Sequence, residues 1–216
     1  MGADLFGSFA ESTCAALVIA AACDSLKSST LALMYPVLIS SSGIVVGILT
    51  LLAALVLYPV KDETDVEKSL KGILNISTVL MTPVAVGLSA YCLPAEFKMD
   101  GSHVKWWYCA LSICLGLWSG LIIGYVTEYY TSHSYKPVRE ISETQKQSAA
   151  TGIIYGLALG YLSCIIPVLC LGVTVLVGHS LCGMFGVALG ALGMLGTMTM
   201  GLTIDAYGPI SDNAGG

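Results

Sequence analysis

The spacing of charges along this chain divides it into long apolar stretches. No Asp, Glu, Lys or Arg occurs from Ser28 to Val60, Gly72 to Ala95, Trp106 to Thr127 or Gln147 to Ile204, gaps of 33, 24, 22 and 58 residues. Because about 20 apolar residues cross a bilayer core as a helix, each gap holds at least one span. The pattern predicts helices over residues 3–23, 33–58, 73–94, 106–130, 149–177 and 181–207. The longest gap must be divided, since a single helix of that length would reach about 90 Å at 1.5 Å per residue. Gly178-His179-Ser180 is the expected break. A membrane barrel does not fit, because the alternation of apolar and polar positions that each barrel strand carries is absent. The predicted fold class is an all-α polytopic membrane protein, with residues 1–216 forming one transmembrane region of about six helices and no sheet.

Composition agrees with the pattern. Only 11% of the 216 residues are Asp, Glu, Lys or Arg and 56% are apolar, whereas a soluble domain carries about 25% charged residues. The net charge of −5 argues against nucleic acid, which needs a basic patch. No cationic segment precedes the first apolar run, so a secretory signal peptide is not indicated. The eight cysteines lie in or beside apolar segments and none forms a Cys-x-x-Cys pair. They read as small apolar packing residues. Glycines four apart, as in Gly116/Gly120/Gly124, Gly156/Gly160 and Gly186/Gly190, let helices approach closely in lipid.

Orientation follows from Lys and Arg. The loops at 60–72 and 131–148 hold six of them (Lys61, Lys68, Lys71, Lys136, Arg139 and Lys146), against three (Lys27, Lys98 and Lys105) in the loops of the opposite side. The positive-inside bias places the first set in the cytosol. The start of the first span and the Asp212 end then face the cytosol too. The sequon Asn75-Ile76-Ser77 falls at that side as well, so glycosylation there is not expected.

Five carboxylates lie within or beside the spans: Asp4, Glu11, Glu128, Asp205 and Asp212. Ionisable groups in hydrocarbon are expensive and point to function by default. Glu128 borders a loop and reads as an interfacial charge. Asp4 and Glu11 are seven residues apart, which puts them on one helix face, about 10 Å apart along the axis. This geometry suits a proton relay, the deeper carboxylate having its pKa raised by desolvation. Glu11 is therefore expected to face other helices rather than lipid. The spans themselves contain no Lys or Arg partner, so either none exists or the chain is an internal segment of something longer. The second is expected: Met1 opens almost directly on a helix, and the chain stops four residues after Asp212.

Four stretches carry a family resemblance: Gly2–Ser12 (GADLFGSFAES), Ile73–Thr82 (ILNISTVLMT), Gly116–Ser132 (GLWSGLIIGYVTEYYTS) and Ile204–Gly216 (IDAYGPISDNAGG). In this order they resemble the membrane-integral, proton-pumping inorganic pyrophosphatases of the vacuolar type. The resemblance implies a complete protein of about sixteen helices, a homodimer, in which hydrolysis of Mg–pyrophosphate drives ion transport. This chain would be its middle third. Residue by residue, the resemblance implies that Asp212 helps hold Mg²⁺ at a cytosolic pyrophosphate site and that Asp205 is a supporting catalytic carboxylate. It further implies that Asp4 is the gate carboxylate and Glu11 the glutamate of the exit relay. K⁺ is an activator for some members. Most of the catalytic aspartates would lie outside this chain, so the chain alone is expected to be inactive.

Ion identity turns on position 7. In the sodium-pumping branch, the resemblance implies, the key glutamate sits where this chain has Gly7. In the proton-pumping type it lies a turn deeper, where this chain has Glu11. Proton transport into a vacuolar or acidocalcisome-type lumen is the resulting expectation. The segment Glu143–Thr151 departs from the plant pattern, having Gln145-Lys146 in place of Cys-Arg, which favours a divergent eukaryote such as a protist. The alternative is a non-hydrolytic ion transporter or channel using Asp4 and Glu11 as ligands, but such a protein has no need of the Asp205–Gly216 block. A purely structural tetraspan-like protein leaves Glu11 without a role.

Overall fold

The computed structural model describes residues 2–60, 63–99, 101–146 and 148–215. Helix α1 (Gly2–Ala22) is followed by the short α2 (Asp24–Lys27) and α3 (Thr30–Leu33), then α4 (Tyr35–Leu57) and α5 (Glu63–Cys92). A two-stranded ribbon, β1 (Glu96–Met99) and β2 (Ser102–Lys105), leads into α6 (Trp106–Thr131), α7 (Lys136–Gln145), α8 (Ala149–Met194) and α9 (Met198–Gly215). Among the described residues, five helical stretches are long and apolar enough to cross a membrane: Gly2–Ala22, Tyr35–Leu57, Asp65–Cys92, Trp106–Gln145 and Ala149–Met194. The chain is an all-α integral membrane protein.

The difference from the six predicted spans lies in α8, whose helix assignment runs through a reversal. Cys182 (φ −135°, ψ 16°) and Gly183 (φ 60°, ψ −145°) leave helical geometry, and the positive φ at Gly183 suits a residue without a β-carbon. Beyond that point the chain folds back on itself. A β-carbon on Gly178 would meet the Gly186 carbonyl oxygen at 2.8 Å, and one on Gly190 would meet Thr174 Cγ2 at 2.9 Å. The break therefore falls at Cys182-Gly183 and not at Gly178-His179-Ser180. The returning arm also ends early, at Met194, and a turn over 195–197 separates it from α9, where one span over 181–207 was predicted.

The expectation of no sheet is also corrected. Strands β1 and β2 pair antiparallel with Glu96 opposite Lys105 and Phe97 opposite Val104. Phe97, Met99 and Val104 are buried on one face, as the two-residue period of a strand requires, and Glu96 and Lys105 form an ion pair at 3.4 Å. Gly101 takes φ 80° at the turn. The Asp100-Gly101 dipeptide is itself a hairpin signal.

Packing follows membrane rules. Large apolar side chains such as Leu55, Val56, Ile153, Ile154 and Leu176 are exposed, while small and hydroxylated ones, including Ala16, Ala20, Thr50, Ser89 and Ser112, are buried. Hydroxyls inside the helices donate to carbonyls one turn back, as Thr50 does to Val46 (2.8 Å) and Ser89 to Ala85 (2.6 Å). Others bridge helices: Thr13 with Ser40 at 2.8 Å, Tyr35 with Ser89 at 2.5 Å and Ser119 with Thr174 at 2.9 Å. Such bonds answer the absence of water in hydrocarbon. Among the described residues no buried side-chain nitrogen or oxygen is left without a partner.

Candidate functional site

Helix α9 is positioned by α4. A β-carbon at Gly43 would meet the Gly196 carbonyl at 2.7 Å, and one at Gly47 would meet Thr199 Cβ at the same distance. The two helices thus run in the same direction. Helix α1 runs opposite to α4, since α2 and α3 join its end to the start of α4 and Thr13 bonds Ser40. The consequence is that α9 passes the first turn of α1 and continues beyond it. At the crossing, a β-carbon on Gly2 would lie 3.8 Å from an Asp205 carboxylate oxygen.

Asp205 and Asp4 therefore stand at the same end of α1. Seven residues along α9, about 10 Å further out, Asp212 is exposed at the helix end. Glu11 lies a similar distance the other way, deeper along α1. The four carboxylates of the predicted site fall in the order Asp212, then Asp205 with Asp4, then Glu11 along the helix axes.

Among the described residues of this chain Glu11 packs against no other helix. Phe9, Ala16 and Ala20 form the buried stripe of α1. At 100° per residue, Asp4 and Glu11 lie about 150° round the helix from that stripe. Both are exposed, and among the described residues neither makes an ion pair. The stacking of the two carboxylates on one face follows from their spacing; the side they present was set by where the small alanines pack.

A second polar group lies where the start of α5 meets the end of α6. The Lys71 ammonium contacts Glu128 at 2.7 Å and Glu67 at 3.0 Å, and donates to the Tyr135 hydroxyl oxygen at 3.0 Å. The Ser134 hydroxyl donates to Glu67 at 2.8 Å. Glu128, read from sequence as a lone interfacial charge, is therefore half of a partly buried ion pair. The Glu67/Lys71 spacing of four residues was a visible helical pair signal, whereas the Lys71–Glu128 contact is non-local. Against this group opens a cavity of about 800 Å³ bordered by Lys68, His133, Tyr207 and Ser211. The face of α9 next to Asp212 thus looks into a charged recess.

The donor set limits what metal the chain can hold. Among the described residues no three His, Cys, Asp or Glu side chains gather as a metal site. Mg²⁺ is commonly held by one or two carboxylates together with water and substrate phosphate. Asp212 fits as one such ligand, and the rest of the set would come from outside this chain.

Comparison with known proteins covers the whole chain. Residues 1–216 match the family described as Inorganic H+ pyrophosphatase. The chain is 34% identical over 230 residues to a putative K(+)-stimulated pyrophosphate-energized sodium pump of Bacteroides thetaiotaomicron, covering 100% of this chain and 30% of that protein. It is 31% identical over 224 residues to a K(+)-insensitive pyrophosphate-energized proton pump of Methanosarcina mazei, covering 100% and 31%. With pyrophosphate-energized membrane proton pump 3 of Arabidopsis thaliana it shares 28% over 239 residues, covering 100% and 29%. The chain spans about 30% of the length of the curated relatives it matches.

Proposed function

The chain belongs to the inorganic H+ pyrophosphatase family, and from that premise we propose that it is a middle segment of a pyrophosphate-driven proton pump. The observation that carries this reading is the file of carboxylates running from Asp212 through Asp205 and Asp4 to Glu11. It joins an exposed acidic helix end, suited to a metal–phosphate substrate, to a carboxylate set deep in a membrane helix.

In this reading Asp212 would be a ligand to Mg²⁺ on the cytosolic side, with Asp205 as a supporting carboxylate on the same helix. Mg²⁺ held there would supply positive charge to neutralise pyrophosphate. Asp4 gates the path and Glu11 takes and releases the proton. The bare face of α1 that carries both is covered by helices outside this sequence, which supply the basic partner of Glu11. The complete protein works as a homodimer in a vacuolar or acidocalcisome-type membrane. The segment alone, with one metal ligand, releases no phosphate from pyrophosphate.

Matching relatives include both sodium and proton pumps by name, so the ion rests on α1 itself. A β-carbon at Gly7 would meet nothing within 4 Å. Gly7 itself supplies no carboxylate oxygen. Without that oxygen, the shell of a hard cation beside Asp4 is incomplete. The test is pyrophosphate-driven uptake into vesicles holding the full-length protein. Lumenal acidification that a protonophore collapses is expected. Labelled sodium accumulating without acidification, with protonophore present, would overturn proton transport.

A further inference from the structure

Two of the eight cysteines meet. Cys109, in the first turn of α6, and Cys182, at the apex of the α8 hairpin, bring their sulfurs to 3.7 Å, and both side chains are buried. They are 73 positions apart in sequence, and neither is needed by the proposed pump. We propose that Cys109 and Cys182 are an oxidisable dithiol whose disulfide staples α6 to the α8 hairpin on the non-cytosolic side.

Three observations support it. Closing the gap requires the sulfurs to move from 3.7 Å to the bonded separation of about 2.05 Å. Cys182 is well placed to yield, because its backbone has already left helical geometry beside Gly183. Its Cβ is seated close to Gly186, where an added β-carbon would approach within 2.9 Å, so the sulfur is held toward α6. Both residues also sit at span ends that the Lys and Arg distribution assigns to the non-cytosolic side, where disulfides can persist.

The chemistry needs a two-electron oxidant, and a small neutral peroxide suits a buried pair. One thiol reacts with hydrogen peroxide to give a sulfenic acid and water. The second thiol then displaces hydroxide from that sulfur, and with its proton a second water leaves. Two thiols and one peroxide thus become one disulfide and two waters. The bond closes a loop containing the whole segment between α6 and α8, and adds a covalent link to elements held by packing and by the Ser119–Thr174 hydrogen bond.

The test uses full-length protein in membranes, treated with hydrogen peroxide and then blocked with N-ethylmaleimide. Proteolysis without reductant and mass spectrometry should reveal a Cys109 peptide joined to a Cys182 peptide, two hydrogens lighter than their sum. Dithiothreitol should separate them. The joined species should be absent from Cys109→Ser and Cys182→Ser, and present in Cys114→Ser. If either serine variant fails to assemble, the native protein with and without dithiothreitol still decides. Recovery of both cysteines as maleimide adducts, or as separate sulfinic acids, would overturn the proposal.

Discussion

The seam between α6 and the returning arm of α8 and the crossing of α1 with α9 are both built from small-residue helices, yet they are finished to different degrees. At the seam, a β-carbon on Gly116 would collide with the Gly190 carbonyl and one on Gly193 with that of Ile113. Ile113, Leu117, Leu189 and Leu192 are buried around it. At the crossing, Asp4, Glu11 and Asp212 are exposed, and Gly7, Gly201 and Gly208 have open space where a side chain would go. The seam is a packed structural core made entirely by this chain. The crossing holds the charged groups, and this chain covers one side of it.

The sharpest way to break that comparison is Asp212→Ala in the full-length protein. Pyrophosphate hydrolysis should fall to background while the thermal midpoint barely moves, because the carboxylate is exposed and holds no partner within the described residues. Retained hydrolysis would remove Asp212 from the metal site. A fall in the midpoint would make the crossing structural like the seam. Gly116→Val is the converse. Overpacking against a backbone carbonyl has no flexible side chain to yield, so a loss of about 3 kcal/mol is expected, read as reduced assembly and a lower unfolding midpoint.

Smaller effects grade the seam itself. Ser119→Ala removes the 2.9 Å bond to Thr174 between α6 and the first arm of α8. Hydrogen bonds between membrane helices average about 0.6 kcal/mol and reach about 1.7, so a shift in that range is expected in unfolding titrations. No measurable shift would mean that the glycine contacts alone hold α6 to α8. Gly156→Ala should change least. Nothing lies within 4 Å of a β-carbon there, and the better helix propensity of alanine raises stability by about 0.4 to 1 kcal/mol. Destabilisation would show that a helix outside this chain packs on that glycine.

The sequence alone determined the membrane class, the positions of most spans and the helix face shared by Asp4 and Glu11. Each depends on a local quantity: the exclusion of charge from hydrocarbon, or the 100° turn between residues. It also carried the Asp100-Gly101 turn signal of the β ribbon and the Glu67/Lys71 pair. What only the tertiary structure decided is which surfaces meet. The reversal at Cys182-Gly183 depends on how closely the arms of α8 pack across Gly178 and Gly186, and several glycines in that gap were equal candidates. The outward direction of Glu11, the Lys71–Glu128 pair, the nearness of Asp205 to the start of α1 and the Cys109–Cys182 contact all join residues far apart in sequence. Periodicity fixes a side chain's angle about its own helix axis, but the neighbour at that angle is set by the packing of several helices together.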